Sequence, residues 1–104
     1  MPREVYRYVF GQEVPFAEVL STLDLALIAV ESLHGESRSR LDARFTDDPA
    51  KLAVVIDAST HVGQALNQVF VGFVRREFGE DAFRFERVDR VSTLASPVGA
   101  ATET

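Results

Sequence analysis

Two stretches of this 104-residue chain are almost free of charge, and they constrain its architecture more than any other feature. Residues 14–34 and 61–74 cover 35 positions but hold only three of the 27 charged side chains, Glu18, Asp24 and Glu31. The first is spaced like a helix over residues 16–34, with Pro15 before it and Gly35 as its stop. The second fits a helix over 61–78, capped by Ser59 or Thr60 and ended by Gly79. A helix lying on a sheet ordinarily turns an apolar stripe inward and charges outward. These two lack the charged side, so something must cover them more fully or they leave apolar surface in water.

The remaining segments read as strands. Residues 5–10 (VYRYVF) form a β-branched and aromatic run closed by Gly11, and residues 82–88 (AFRFERV) alternate Phe83 and Phe85 with Arg84 and Glu86. Residues 40–46 (RLDARFT) alternate Leu41, Ala43 and Phe45 against Arg40, Asp42, Arg44 and Thr46. Asp47-Asp48-Pro49-Ala50 supplies turn chemistry, and residues 52–56 (LAVVI) suit a central strand. The order βαββαβ predicts an α+β domain of the ferredoxin-like kind, a four-stranded antiparallel sheet with two helices on one face. It occupies residues 1–91; residues 92–104 (STLASPVGAATET) read as a flexible tail.

Composition narrows the function classes. The absence of cysteine excludes thiol nucleophiles, disulfide frameworks and cysteine-ligated metals. The longest apolar run, residues 25–30, is far short of the roughly 20 residues a membrane span needs, and the first residues carry no apolar signal core. A cytoplasmic protein is expected. A net charge of −5 is the opposite of what binding to a phosphate backbone favours. No cofactor is expected.

Projected at 100° per residue, the first helix turns Phe16, Val19, Leu20, Leu23, Ala26, Leu27, Val30 and Leu33 inward. Ala17, Ser21, Leu25, Ile28, Ala29 and Ser32 fall outside. In the second helix Val62, Ala65, Leu66, Val69 and Phe73 form the inner arc, leaving Phe70, Val71, Val74 and Phe78 outside it with Asn67. The expected interface is therefore Ala17, Ser21, Leu25, Ile28, Ala29, Phe70, Val71, Val74 and Phe78. It fits a homo-oligomer, a dimer first, or a protein partner.

Three further clusters carry polar chemistry. Asp24, Glu31 and His34 share a helix flank with a Glu-x-x-His spacing, but no second such motif completes a metal site, and His34 also suits the helix C-terminus. Asp57, Thr60 and His61 join the apolar strand to the second helix and could hold a small ligand, although helix capping explains the same residues. Arg40, Asp42, Arg44, Arg84 and Glu86, with Arg7 or the pair Tyr6 and Tyr8, could line the outer sheet face, where aromatics would stack RNA bases. The expectation is thus a non-enzymatic interaction module that self-associates through its helix layer. A dimeric ligand-binding domain or enzyme with a pocket near Asp57, Thr60 and His61 is the alternative, and RNA binding on the sheet the third.

Overall fold

The computed structural model describes residues 4–88; the expected tail, residues 92–104, lies outside them. In chain order the elements are β1 (Val5–Phe10), α1 (Phe16–His34), α2 (Glu36–Asp42), β2 (Arg44–Asp48), β3 (Ala53–Asp57), α3 (His61–Phe78) and β4 (Phe83–Val88). Short 3-10 turns, Pro49–Lys51 and Glu80–Ala82, precede β3 and β4. The strands form one antiparallel sheet in the order β2-β3-β1-β4, so the domain is α+β with a four-stranded antiparallel sheet.

β1 is the hub because it pairs on both sides. Tyr6 and Tyr8 stand opposite Ile56 and Val54 of β3, and Tyr8 and Phe10 opposite Phe85 and Phe83 of β4. Side chains alternate across a strand, so these residues share one face. That face packs into the core with Val19, Leu23, Ala26 and Val30 of α1 and Val62, Leu66, Phe70 and Val74 of α3. Phe70 is the largest fully buried side chain, its ring 5.7 Å from Tyr8 and 6.3 Å from Phe10. Burial of such a ring contributes about 2–3 kcal/mol.

Both long helices keep the limits the spacing predicts and end on glycines at positive φ, 91° at Gly35 and 93° at Gly79. The strand expected over residues 40–46 is corrected. Residues 36–42 form α2, and β2 begins only at Arg44, so Arg40 and Asp42 leave the sheet. The alternation of Leu41, Ala43 and Phe45 is too short to exclude helical spacing, and Arg38 and Asp42 form an i,i+4 ion pair at 3.7 Å. The fold therefore has three helices where two were expected. Ser39 of α2 is fully buried, and its hydroxyl has no hydrogen-bond partner among the described residues. The reversal after β2 also shifts: Asp47 and Asp48 belong to the strand, and Leu52 takes the left-handed conformation (φ 54°) ahead of β3.

The rotation of α3 is the second correction. Its inner stripe is Val62, Leu66, Phe70 and Val74, so Phe70 and Val74, expected on the outer surface, lie fully in the core. Phe73, expected inside, is exposed. The outer side of α3 is marked by a polar repeat, His61, Gln64, Gln68 and Arg75, most of it neutral, so the distribution of charge alone does not reveal it. The first turn of α3 passes so close to the end of β3 that a β-carbon on Gly63 would lie 2.1 Å from the Asp57 carbonyl oxygen. Gly63→Ala should therefore lower stability by about 1–3 kcal/mol, read as a reduced urea midpoint; an unchanged midpoint would show that the helix can shift away.

Candidate functional site

The outer side of α1 is the most apolar exposed surface of the described residues. Leu25 and Ile28 are each 57% exposed, with Ala17, Ser21 and Ser32 around them and Ala29 half-buried. The Ser21 and Ser32 hydroxyls, though exposed, donate to carbonyls four residues back, Ala17 and Ile28, and so are partly satisfied by their own helix. The outer side of α3 is polar by contrast: His61, Gln64, Gln68 and Arg75 are exposed along it. The surplus apolar surface thus belongs to α1 and its border with α3, not to both helices alike.

At that border lies a shallow groove of ≈ 320 Å³ lined by Thr22, Leu25, Phe73, Arg76 and Glu77. Its floor is fixed by Thr22, whose buried hydroxyl sits 2.9 Å from the Glu18 carbonyl and 3.1 Å from the Glu77 carboxylate, sharing its proton between them. On the opposite flank of α3, the Tyr8 hydroxyl donates to Asn67 Oδ1 beneath the aromatic cluster. Val71 and Phe78 continue that flank and are half-buried at the core's edge. Burial, which disfavours the charged phenolate, pushes the Tyr8 hydroxyl up to about 12.

The residues of the β3–α3 junction have structural partners. Asp57 is buried and accepts from the Ser59 N–H at 2.9 Å. The Ser59 hydroxyl accepts from the Glu4 N–H at 3.0 Å. Thr60 Oγ1 accepts from the Gly63 N–H at 2.9 Å, capping α3, and donates to the Asp42 carbonyl at 3.1 Å, tying down the end of α2. His61 is exposed. The junction therefore fastens α2, β3 and α3 together.

The remaining clusters are also placed. Asp24 is exposed, with Glu31 and His34 half-buried, and no group of three metal-ligating side chains occurs among the described residues. Arg7, Arg44, Arg84 and Glu86 share the sheet face turned away from the helices, where Arg7 and Glu86 pair at 3.1 Å. Tyr6 and Tyr8 face the helices instead. The described residues of the open face include no aromatic, so the platform that base stacking needs lies on the other side. No described helix is long and apolar enough to cross a membrane.

Three aromatics are exposed among the described residues, Phe73 in the groove, Phe45 on the edge strand β2 and Phe85, 61% exposed on β4. Alternation marks Phe85 as apolar-facing; only the strand order shows that its neighbour on one side is missing.

Two measurements test these assignments. Thr60→Ala should cost about 1–2 kcal/mol through the lost cap, while Thr60→Ser should restore most of it; equal loss from both variants would point away from capping. Tyr8 favours the folded state below pH 10, and that contribution is lost as pH rises through about 12. Ultraviolet titration should show one of the two tyrosines ionising late and Tyr8→Phe removing that phase. A single transition near pH 10 would refute the burial.

Comparison with known families, curated proteins and solved structures gives no match to this chain.

Proposed function

We propose that this protein is an interaction module that self-associates through its helix layer, with the outer face of α1 as the contact surface. The observation carrying this reading is the pair Leu25 and Ile28, each more than half exposed at the middle of a helix whose serines are turned onto their own backbone. Apolar side chains ringed by small residues allow a second surface to approach closely and exclude water.

Charge favours one arrangement. Thr22 meets Glu77, so at this height Asp24 of α1 is level with Arg75 and Arg76 of α3. A second copy laid layer to layer, turned about an axis along the groove, sets its α1 over α3 and its Asp24 near those arginines. Stacking α1 directly on α1 would instead confront the acids Asp24 and Glu31 with their own kind.

The finer description of the fold belongs to the same reading. The position of β1 between β3 and β4, with α1 and α3 against one sheet face, supports a ferredoxin-like winding to which α2 is an addition.

Ile28→Asp and Leu25→Asp place a charge on an already exposed site, so both should fold, with unchanged far-ultraviolet circular dichroism. Sedimentation equilibrium should show the assembly mass falling by half or more. A mass equal to that of the unaltered protein would move the interface off α1.

A further inference from the structure

β4 is an edge strand, and its sequence is self-complementary about Phe85. We infer that two copies of this chain also pair β4 against β4, antiparallel, to make one eight-stranded sheet. This interface is separate from the α1 contact and does not depend on it.

The backbone supplies the first argument. The Phe10 N–H donates across to Leu52 next to β3, and the Gly11 N–H to Ala82 next to β4. Hydrogen-bonding direction alternates along an antiparallel strand, so Arg84, Glu86 and Val88 direct their backbone groups at β1. Phe83, Phe85 and Arg87 then turn N–H and C=O outward, along an edge that no described strand occupies. With Phe85 opposite Phe85 of the second copy, Phe83 meets Arg87 and Arg87 meets Phe83, and the outward groups close about six backbone hydrogen bonds.

The side chains agree with that register. On the open face, Arg84 stands opposite Glu86 of the second copy and Glu86 opposite its Arg84, two opposite-charge pairs on directly facing positions. Glu86 already holds Arg7 at 3.1 Å, so the new arginine extends an existing ion pair. On the helix face the two Phe85 rings, each 61% exposed, come together about 5.5 Å apart at Cα. The Tyr8–Asn67 hydrogen bond marks the α3 flank nearest β4, so the half-buried Val71 and Phe78 lie on the side the second copy approaches. β2, the other edge, is a poorer match: centred on Thr46, it would set Phe45 against Asp47 and offer fewer outward backbone groups.

The test uses full-length protein carrying Ile28→Asp, which removes the α1 contact, so that the two readings fail separately. The expected species is a dimer. Arg84→Glu brings two carboxylates face to face at each pair and Glu86→Arg brings two guanidinium groups together, so each alone should associate about tenfold more weakly or worse. Mixed, the two variants should form a heterodimer of near-original affinity, because every facing pair then matches like charge in one copy with its opposite in the other. If Glu86→Arg fails to fold for want of its pair with Arg7, retention of the dimer by Arg84→Lys and its loss in Arg84→Glu decides the matter. A monomer before any β4 change, or association indifferent to charge at these two positions, would overturn the proposal.

Discussion

Much of this structure depends on the rotation of one helix. α3 has apolar residues on most of its circumference, and the hydrogen bond from Tyr8 to Asn67 pins it from below. Once Asn67 is held over β1, Phe70 must enter the aromatic cluster between Tyr8 and Phe10. Phe73 then turns toward α1 and, with Leu25, defines the groove. The bond joins the buried Tyr8 to the half-buried Asn67 and so favours this orientation of the helix.

That orientation distributes apolar surface unevenly. The inner side of the helix layer closes a single core with one face of the sheet. The outer side divides into an apolar α1 and a polar α3, and the sheet divides into a helix face rich in aromatics and an open face of arginines, acids and small aliphatics. Among the described residues, the exposed large hydrophobics lie at the middle and C-terminal end of α1, in the groove and on the two sheet edges.

What could be read in advance follows the range of the interactions. Helix limits and caps are set within a few residues, and both long helices and β1 fall where local spacing puts them. The outward position of Ala17, Ser21, Leu25 and Ile28 was likewise legible from the apolar repeat, although Leu33, on the inner arc of the same projection, is 78% exposed near the helix end. The segment at 36–46 was not, since three alternating apolar residues fit either period until Ser39 is seen buried in α2. Phe70 and Val74 were misplaced because charge alone marks no outer side of α3; the polar repeat His61, Gln64, Gln68 and Arg75 does, and the bond from Tyr8, 59 residues from Asn67, agrees with it. The exposure of Phe85 depends on strand order, which no local pattern encodes.

Ser39 also bears on how the molecule breathes. Among the described residues the buried Ser39 hydroxyl finds no partner; a hydroxyl left in that state costs about 1 kcal/mol or more, which an opening that admits water recovers. α2 is only seven residues long, too short to persist alone, and the Thr60 hydroxyl ties its end to α3. Local unfolding should accordingly begin at this corner, with amide exchange in α2 outpacing that of β1 and β3. The segment that imitates a strand in the sequence is then the first to leave the folded ensemble.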